Sequence, residues 1–288
     1  MSSAPAAMPP GTLVRGPTAL GQDRRRLLRL TWTLAATDFK LRFFGSALGY
    51  LWQLMRPLML FGILYVVFTE FLDFKGPEQY FGVSLLLGLV LYNFFGEATG
   101  GAVKSILSRE QLVRKIDFPR LAVPLSTVLQ ALFNLVLNLV PVLVFLLAAG
   151  ARPRLTWLAM PLLIALLATL AMALAMLLSS LYVRYRDIEP IWDIVLQALF
   201  YATPILYTVG LLRDKAGDTV VQWLLLANPF ASIVQEGKHL LIDPSHPSMT
   251  AIASNDLLLL IPLAMIGALL ALGYVVFSRE APRIAEDL

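Results

Sequence analysis

The chain has 288 residues, of which 58% are hydrophobic and only 15% charged. Soluble domains carry about 45–50% apolar and roughly 25% charged residues, so a water-soluble core of this length does not absorb the excess. A net charge of +4 from so few charges excludes a nucleic-acid binder, unperiodic Gly and Pro exclude a collagen, and zero cysteines exclude disulfides, thiolate zinc and iron–sulfur sites.

Residues 1–22 are dominated by Ala, Pro, Ser and Gly. Such a segment buries too little surface to order itself and is predicted to be a disordered cytoplasmic tail. Residues 1–26 contain no apolar core behind a basic start, so no signal peptide is expected. Residues 23–45 are predicted to form an amphipathic interfacial helix. Leu28, Trp32, Ala35, Phe39 and Phe43 recur at helical spacing, flanked by Arg26, Arg29, Thr33, Thr37 and Lys40. An apolar stripe with a basic flank suits the headgroup plane, or a shelf that docks a soluble partner.

Six stretches satisfy the requirement of about 20 mainly apolar residues per membrane crossing: 47–70, 80–103, 121–149, 155–183, 190–212 and 254–278. The expected fold is therefore an all-α polytopic membrane protein with six transmembrane helices. Alternating barrel strands do not fit these unbroken runs. Basic residues sort by side. Arg15, Arg24, Arg25, Arg26, Arg29, Lys40, Arg42, Lys104, Arg109, Arg114, Lys115, Arg120, Arg184, Arg186, Arg279 and Arg283 fall on one side of the succession. Only Lys75, Arg152, Arg154, Arg213, Lys215 and Lys238 fall on the other. The richer side is cytoplasmic, which places both termini there.

Arg56 stands alone, roughly ten residues into the first span and just before Pro57. A cation at a helix centre costs about 2.5–3.5 kcal/mol on insertion scales, so it should face a polar cavity or a carboxylate. Glu97 in the second span is the expected partner, ahead of Glu70, and snorkelling to the inner interface is the competing reading. Gly96-x-x-x-Gly100 predicts a close helix approach, in a dimer interface or elsewhere.

In the loop over 104–120, Ser108 and Gln111 have capping-box spacing, which predicts a short helix carrying Arg109, Glu110, Leu112, Arg114 and Lys115. Pro119 ends it, with Phe118 exposed beside the stop. A capped helix with apolar knobs and mixed charge suits a groove on another protein, although any solvated loop helix has the same pattern. Tyr92, Phe94, Phe95, Phe200 and Tyr201 collect toward the outer half, as an interfacial belt or as stacking faces for sugar rings. Residues 213–253 carry two short apolar pieces around Asn228-Pro229, predicting an outer re-entrant hairpin between helices 5 and 6.

No phosphate loop, G-x-S-x-G or H-E-x-x-H occurs, and His239 and His246 lack metal spacing. Catalytic and metal residues are therefore expected to be none, and energy is expected from another subunit.

Taken in order, Phe39-Lys-Leu-Arg, Leu48-Gly-Tyr-Leu-Trp, Pro57-Leu, Val113-Arg-Lys-Ile-Asp-Phe-Pro-Arg-Leu, Tyr185-Arg-Asp-Ile, Thr203-Pro-Ile-Leu-Tyr and Asn228-Pro229 resemble the membrane subunit of type-2 ATP-binding-cassette exporters. The likeness is to the polysaccharide and teichoic-acid branch and runs from about residue 24 to 280. Arg56 departs from the Asn usual in that branch. The resemblance implies a type-2 transmembrane domain over 46–280, a cytoplasmic C-terminus over 281–288, and a homodimer bound to an ATPase subunit that holds ATP and Mg. No cofactor is implied in this chain itself. It also implies that 24–44 is a gate helix and 108–118 a coupling helix. Arg186 and Asp187 would then also meet the ATPase, and the two protomers would enclose a path for a lipid-linked glycan. Export of a polyprenyl-diphosphate-linked polysaccharide is the leading expectation, with Arg24, Arg25, Arg26 and Arg56 as candidates for the diphosphate. The alternatives are export of a drug or lipid, an ion-coupled carrier, and a membrane transferase acting on lipid-linked sugar.

Overall fold

A computed structural model describes residues 24–43, 49, 51–71, 80–111 and 118–282. Every regular element among the described residues is a helix, with no strand among them. Helix α1 (Arg24–Phe43) precedes α2 (Leu51–Val66), which continues as a π-helical turn over Val67–Phe71. Next come α3 (Phe81–Val103), α4 (Ala122–Ala148), α5 (Met160–Arg184) and α6 (Ile188–Ala202). The short helices α7 (Val209–Ala216), α8 (Asp218–Leu226), α9 (Pro229–Gly237) and α10 (Met249–Ile252) lead to α11 (Leu260–Glu280).

Five helical segments are long and apolar enough to cross a membrane: Leu51–Phe71, Phe81–Val103, Ala122–Ala148, Leu155–Arg184 and Asp256–Glu280. The expected crossing over 190–212 is not one helix. Its apolar run is cut at Thr203-Pro204, and Thr203 is extended (φ −94°, ψ 136°) because proline disfavours helical geometry in the residue before it. The 15 residues of α6 rise about 22 Å at 1.5 Å each, short of a bilayer core.

Helix α3 is the centre. Leu85, Leu86, Leu87, Leu89 and Leu91 are all buried, so the helix is apolar on every side and is wrapped by α2, α4, α5 and α6. Helices α5 and α11 pack closest at Gly273, where a Cβ would overlap the Ala173 carbonyl oxygen. The expected close approach at Gly96 is not within this chain: Gly96 has open space where a Cβ would go, and Gly100 meets only Leu196 at 3.9 Å.

Helix α1 lies on α4, but its buried line is Leu27–Thr31–Ala35 rather than the expected stripe. Small residues let the two backbones approach, and Thr31 satisfies its own hydroxyl on the Leu27 carbonyl (2.9 Å). Leu28 and Trp32 are left exposed, with the rings of Trp32 and Phe39 edge-on to Phe133 at 5.4 and 5.6 Å. The Asn228-Pro229 break joins two short helices, α8 and α9. Asn228 caps α9 by accepting from Ala231 N–H (3.2 Å), and Phe230, Ile233 and Val234 enter the main core.

Candidate functional site: a polar cavity among α1, α2, α3 and α4

A cavity of about 600 Å³ opens beside the centre of α3, and its polar lining comes from four helices. The end of α1 brings Arg42, α2 brings Gln53 and Arg56, α3 brings Asn93 and Glu97, and α4 brings Asn134 and Asn138. The helix period explains the convergence. Gln53 and Arg56 are three apart, Asn93 and Glu97 four apart, and Asn134 and Asn138 four apart, so each pair comes off one face. Pro57 adds to this, because it has no N–H to donate to the Gln53 carbonyl one turn back.

Arg42 pairs with Glu97, and Asn134 Nδ2 donates to the same carboxylate at 2.8 Å. Asn138 Nδ2 donates to the Asn134 carbonyl at 2.9 Å. Arg56 faces a polar cavity, as its insertion cost predicts. Its expected partner is different, however. Glu97 is taken by Arg42, and Arg56 has no ion pair among the described residues. A carboxylate with an arginine and a carboxamide already in place has its charge and hydrogen bonds met without a second cation. Glu70 lies in the π-helical turn that ends α2, away from this cavity.

A second cavity of about 380 Å³ shares Arg42 and Glu97 with the first and continues past Gly101, Ser105, Ser108 and Arg109. Here Arg109 pairs with Asp38 of α1. Two crossed ion pairs, Arg42–Glu97 and Asp38–Arg109, thus fasten α1 to α3 and to the turn that follows α3.

That turn differs from the expected capping box. Ser108 Oγ donates back to the Ser105 carbonyl (2.9 Å), and the Ser108 N–H bonds the Lys104 carbonyl. Ser108 sits inside a 3-10 turn, Leu107–Arg109, where its own N–H is already bonded, so its side chain turns back onto the preceding turn and caps no new helix. Glu110 is half-buried and engaged, while Leu112, Arg114 and Lys115 lie outside the described residues. Phe118, expected to be exposed, is buried with Leu27, Ile106, Leu121, Val183 and Phe277. The turn through Pro119 directs its ring inward, so it is a core residue and not an exposed docking knob. Arg186 and Asp187 are exposed at the sharp turn between α5 and α6, with Arg186 over the Tyr182 ring (5.1 Å). Next to them Lys104 pairs with Glu189, which also accepts from Tyr182 (3.1 Å). The hydrogen bond from Lys104 holds the Glu189 carboxyl below its usual range and raises the lysine.

Arg24, Arg25 and Arg26 are exposed in the first turn of α1. Three cations there oppose the helix dipole. The five expected aromatics divide. Phe95 is core, packed on Phe230 (4.8 Å) and Trp192 (6.5 Å), and Phe94 is buried at the cavity wall. Tyr92 stacks on Phe200 at 4.8 Å and donates to the Leu196 carbonyl, whereas Tyr201 is exposed. Hydropathy and spacing do not separate a core ring from a lining ring.

The sequence reading missed Asp38, Arg42, Asn134 and Asn138 as site residues. A signal existed: two asparagines one turn apart inside the apolar run 121–149 are costly in lipid unless they face a cavity or a partner. It also missed Arg120, which is buried and donates to the Ala281 carbonyl at the end of α11.

The chain's relatives agree with a membrane transporter. An O-antigen export system permease protein of Klebsiella pneumoniae is 27% identical over 218 residues, covering 75% of this chain and 82% of that protein. One from Myxococcus xanthus is 28% identical over 231 residues, covering 79% and 87%. Residues 29–236, which take in most of α1 and the residues lining the cavity, match the ABC-2 type transporter family. With five membrane-length helices and most of its length inside that match, the chain is a multi-pass membrane protein belonging to the ABC-2 type transporter family, whose members are permease subunits.

Proposed function

We propose that the chain is the permease subunit of an ATP-driven exporter that moves a polyprenyl-diphosphate-linked polysaccharide across the cytoplasmic membrane. The observation that carries this reading is the likeness, over three quarters of the chain, to proteins named as O-antigen export permeases. ATP and Mg are bound by a separate ATPase subunit, which meets the turn after α3 together with Arg186 and Asp187. Two copies of the chain enclose the path. Helices α2 and α6 suit that contact, since Leu51, Trp52, Met59, Ile63, Ile191 and Ile194 are uncovered within one chain. Helix α6 and the α8–α9 hairpin together complete a sixth crossing, which puts both termini on the cytoplasmic side. The basic end of α1 (Arg24, Arg25 and Arg26) faces the diphosphate, and Arg56 lies among the polar groups of the cavity.

In this reading the ATPase moves the turn after α3, and the Asp38–Arg109 and Arg42–Glu97 pairs pass that motion to α1 and the cavity wall. The test is reconstitution with the ATPase in vesicles. ATP-dependent movement of a lipid-linked polysaccharide, with no hydrolysis by the chain alone, is the expected result. Hydrolysis by the isolated chain, or transport of a drug or simple lipid without the glycan, would overturn the reading.

A further inference from the structure

Two residues that line the cavity carry acceptors that the fold leaves unmet. Asn134 and Asn138 are 1% and 8% exposed, one turn apart on α4. Their Nδ2 groups are committed to Glu97 and to the Asn134 carbonyl, and this fixes how each carboxamide is turned. Flipping Asn134 would set its oxygen against the Glu97 carboxylate. Both Oδ1 atoms are therefore left buried with no hydrogen-bond partner among the described residues. An unmet buried acceptor costs about 1–3 kcal/mol, which favours a donor arriving from outside the chain. Donors line the same space: the guanidinium of Arg56 and the amide nitrogens of Gln53 and Asn93.

We infer that this cavity is a subsite for sugar hydroxyls, a reading that rests on the proposed export of a glycan. Hydroxyls of one sugar ring donate to the Asn134 and Asn138 oxygens, and they and the ring oxygen accept from Arg56, Gln53 and Asn93. A hydroxyl both donates and accepts, which is what a cavity offering both kinds of group requires. A phosphate offers acceptors only; it would leave both carboxamide oxygens unmet and lie close to the Glu97 carboxylate. A metal cation is disfavoured because Arg42 and Arg56 already outweigh the single carboxylate. A volume of about 600 Å³ falls within the range of small-ligand pockets.

The chain has no cysteine, so one introduced thiol reports on the cavity without background. Gly96→Cys suits this, since Gly96 lines the cavity and a Cβ there meets nothing within 4 Å. The complete transporter, with its ATPase subunit, is placed in lipid nanodiscs and treated with a charged methanethiosulfonate. Labelling is timed with polyprenyl diphosphate bearing an oligosaccharide, with bare polyprenyl diphosphate, and with neither. The glycosylated carrier at ten times its dissociation constant should slow labelling about tenfold, and the bare carrier should not. Asn138→Leu, added to Gly96→Cys, should abolish protection, measured against that variant's own unprotected rate; Asn138→Ala serves if the leucine variant does not assemble. Equal protection by the bare carrier would assign the cavity to the diphosphate and overturn the inference. No protection, while the glycosylated carrier still stimulates ATP hydrolysis, would overturn the subsite and leave the export function standing. If the glycosylated carrier neither stimulates hydrolysis nor is transported, both fall.

Discussion

Helices α2 and α3 are nearly matched as sequences and opposite as structures. Their membrane-length segments have 21 and 23 residues and mean hydropathies of 1.6 and 1.5. Yet 72% of an 18-residue apolar stretch of α3 is buried inside the chain, against 6% of the corresponding stretch of α2. Hydropathy measures preference for hydrocarbon over water, and lipid tails are as apolar as leucine, so it cannot tell a core helix from a peripheral one. What differs is detail. Helix α3 carries Ala98, Thr99 and Ala102 for close contact, with Thr99 accepting from Trp192 (3.1 Å). Helix α2 carries large side chains together with Arg56 and Pro57. One helix holds the fold together, and the other leaves most of its surface uncovered within the chain.

That division is open to attack in several ways. The largest effect is expected from Leu87→Ala, which empties a fully buried site on α3 and should cost about 2–5 kcal/mol; Ile63→Ala on exposed α2 should cost far less. Thermal unfolding in detergent checks both, and equal losses would erase the contrast. Gly273→Ala forces α11 off the Ala173 carbonyl and should cost about 1–3 kcal/mol in the same assay. Arg56→Leu should leave membrane insertion and unfolding temperature intact while lowering export about tenfold, the equivalent of one ~1.4 kcal/mol interaction. Normal export by that variant would remove α2's special role.

The smallest effect concerns Lys104–Glu189, which ties the end of α3 to α6 in the open. The carboxyl is lowered, so its contribution exists above the ordinary carboxylate range and is lost as pH falls through the lowered value. The amine is raised, so its contribution exists below the ordinary lysine range and is lost only as pH rises through the raised value. Glu189→Gln should therefore lower the unfolding temperature slightly at neutral pH, and the difference should vanish once the pH has fallen below the lowered carboxyl range.

Much of this fold was legible in the sequence, and the failures have physical causes. The second span, read as 80–103, is the helix Phe81–Val103, because an unbroken apolar run in lipid has little choice but helix. The 190–212 run failed for the converse reason: a hydropathy window passes over Thr203-Pro204, where the backbone must leave the helix. The cavity was legible through the cost of Arg56 in lipid. The occupant of Glu97 was not, because it depends on how α1 is rotated on α4, and Thr31 and Ala35 decide that against Leu28 and Trp32. Phe118 failed because a loop aromatic gives no local sign of the tertiary pocket that receives it.

The hydrogen bond from Arg120 to the Ala281 carbonyl closes a loop of 161 residues. Closing a flexible chain of that length costs roughly 4–5 kcal/mol of entropy, whereas one charge-assisted hydrogen bond returns about 1.5–3 kcal/mol. That one bond therefore does not draw the two ends together. Helices α5 and α11 do that by packing, and the bond sets the register at which the last helix stops against the start of α4. Cutting such a fastening leaves the assembly standing but lets its base slip.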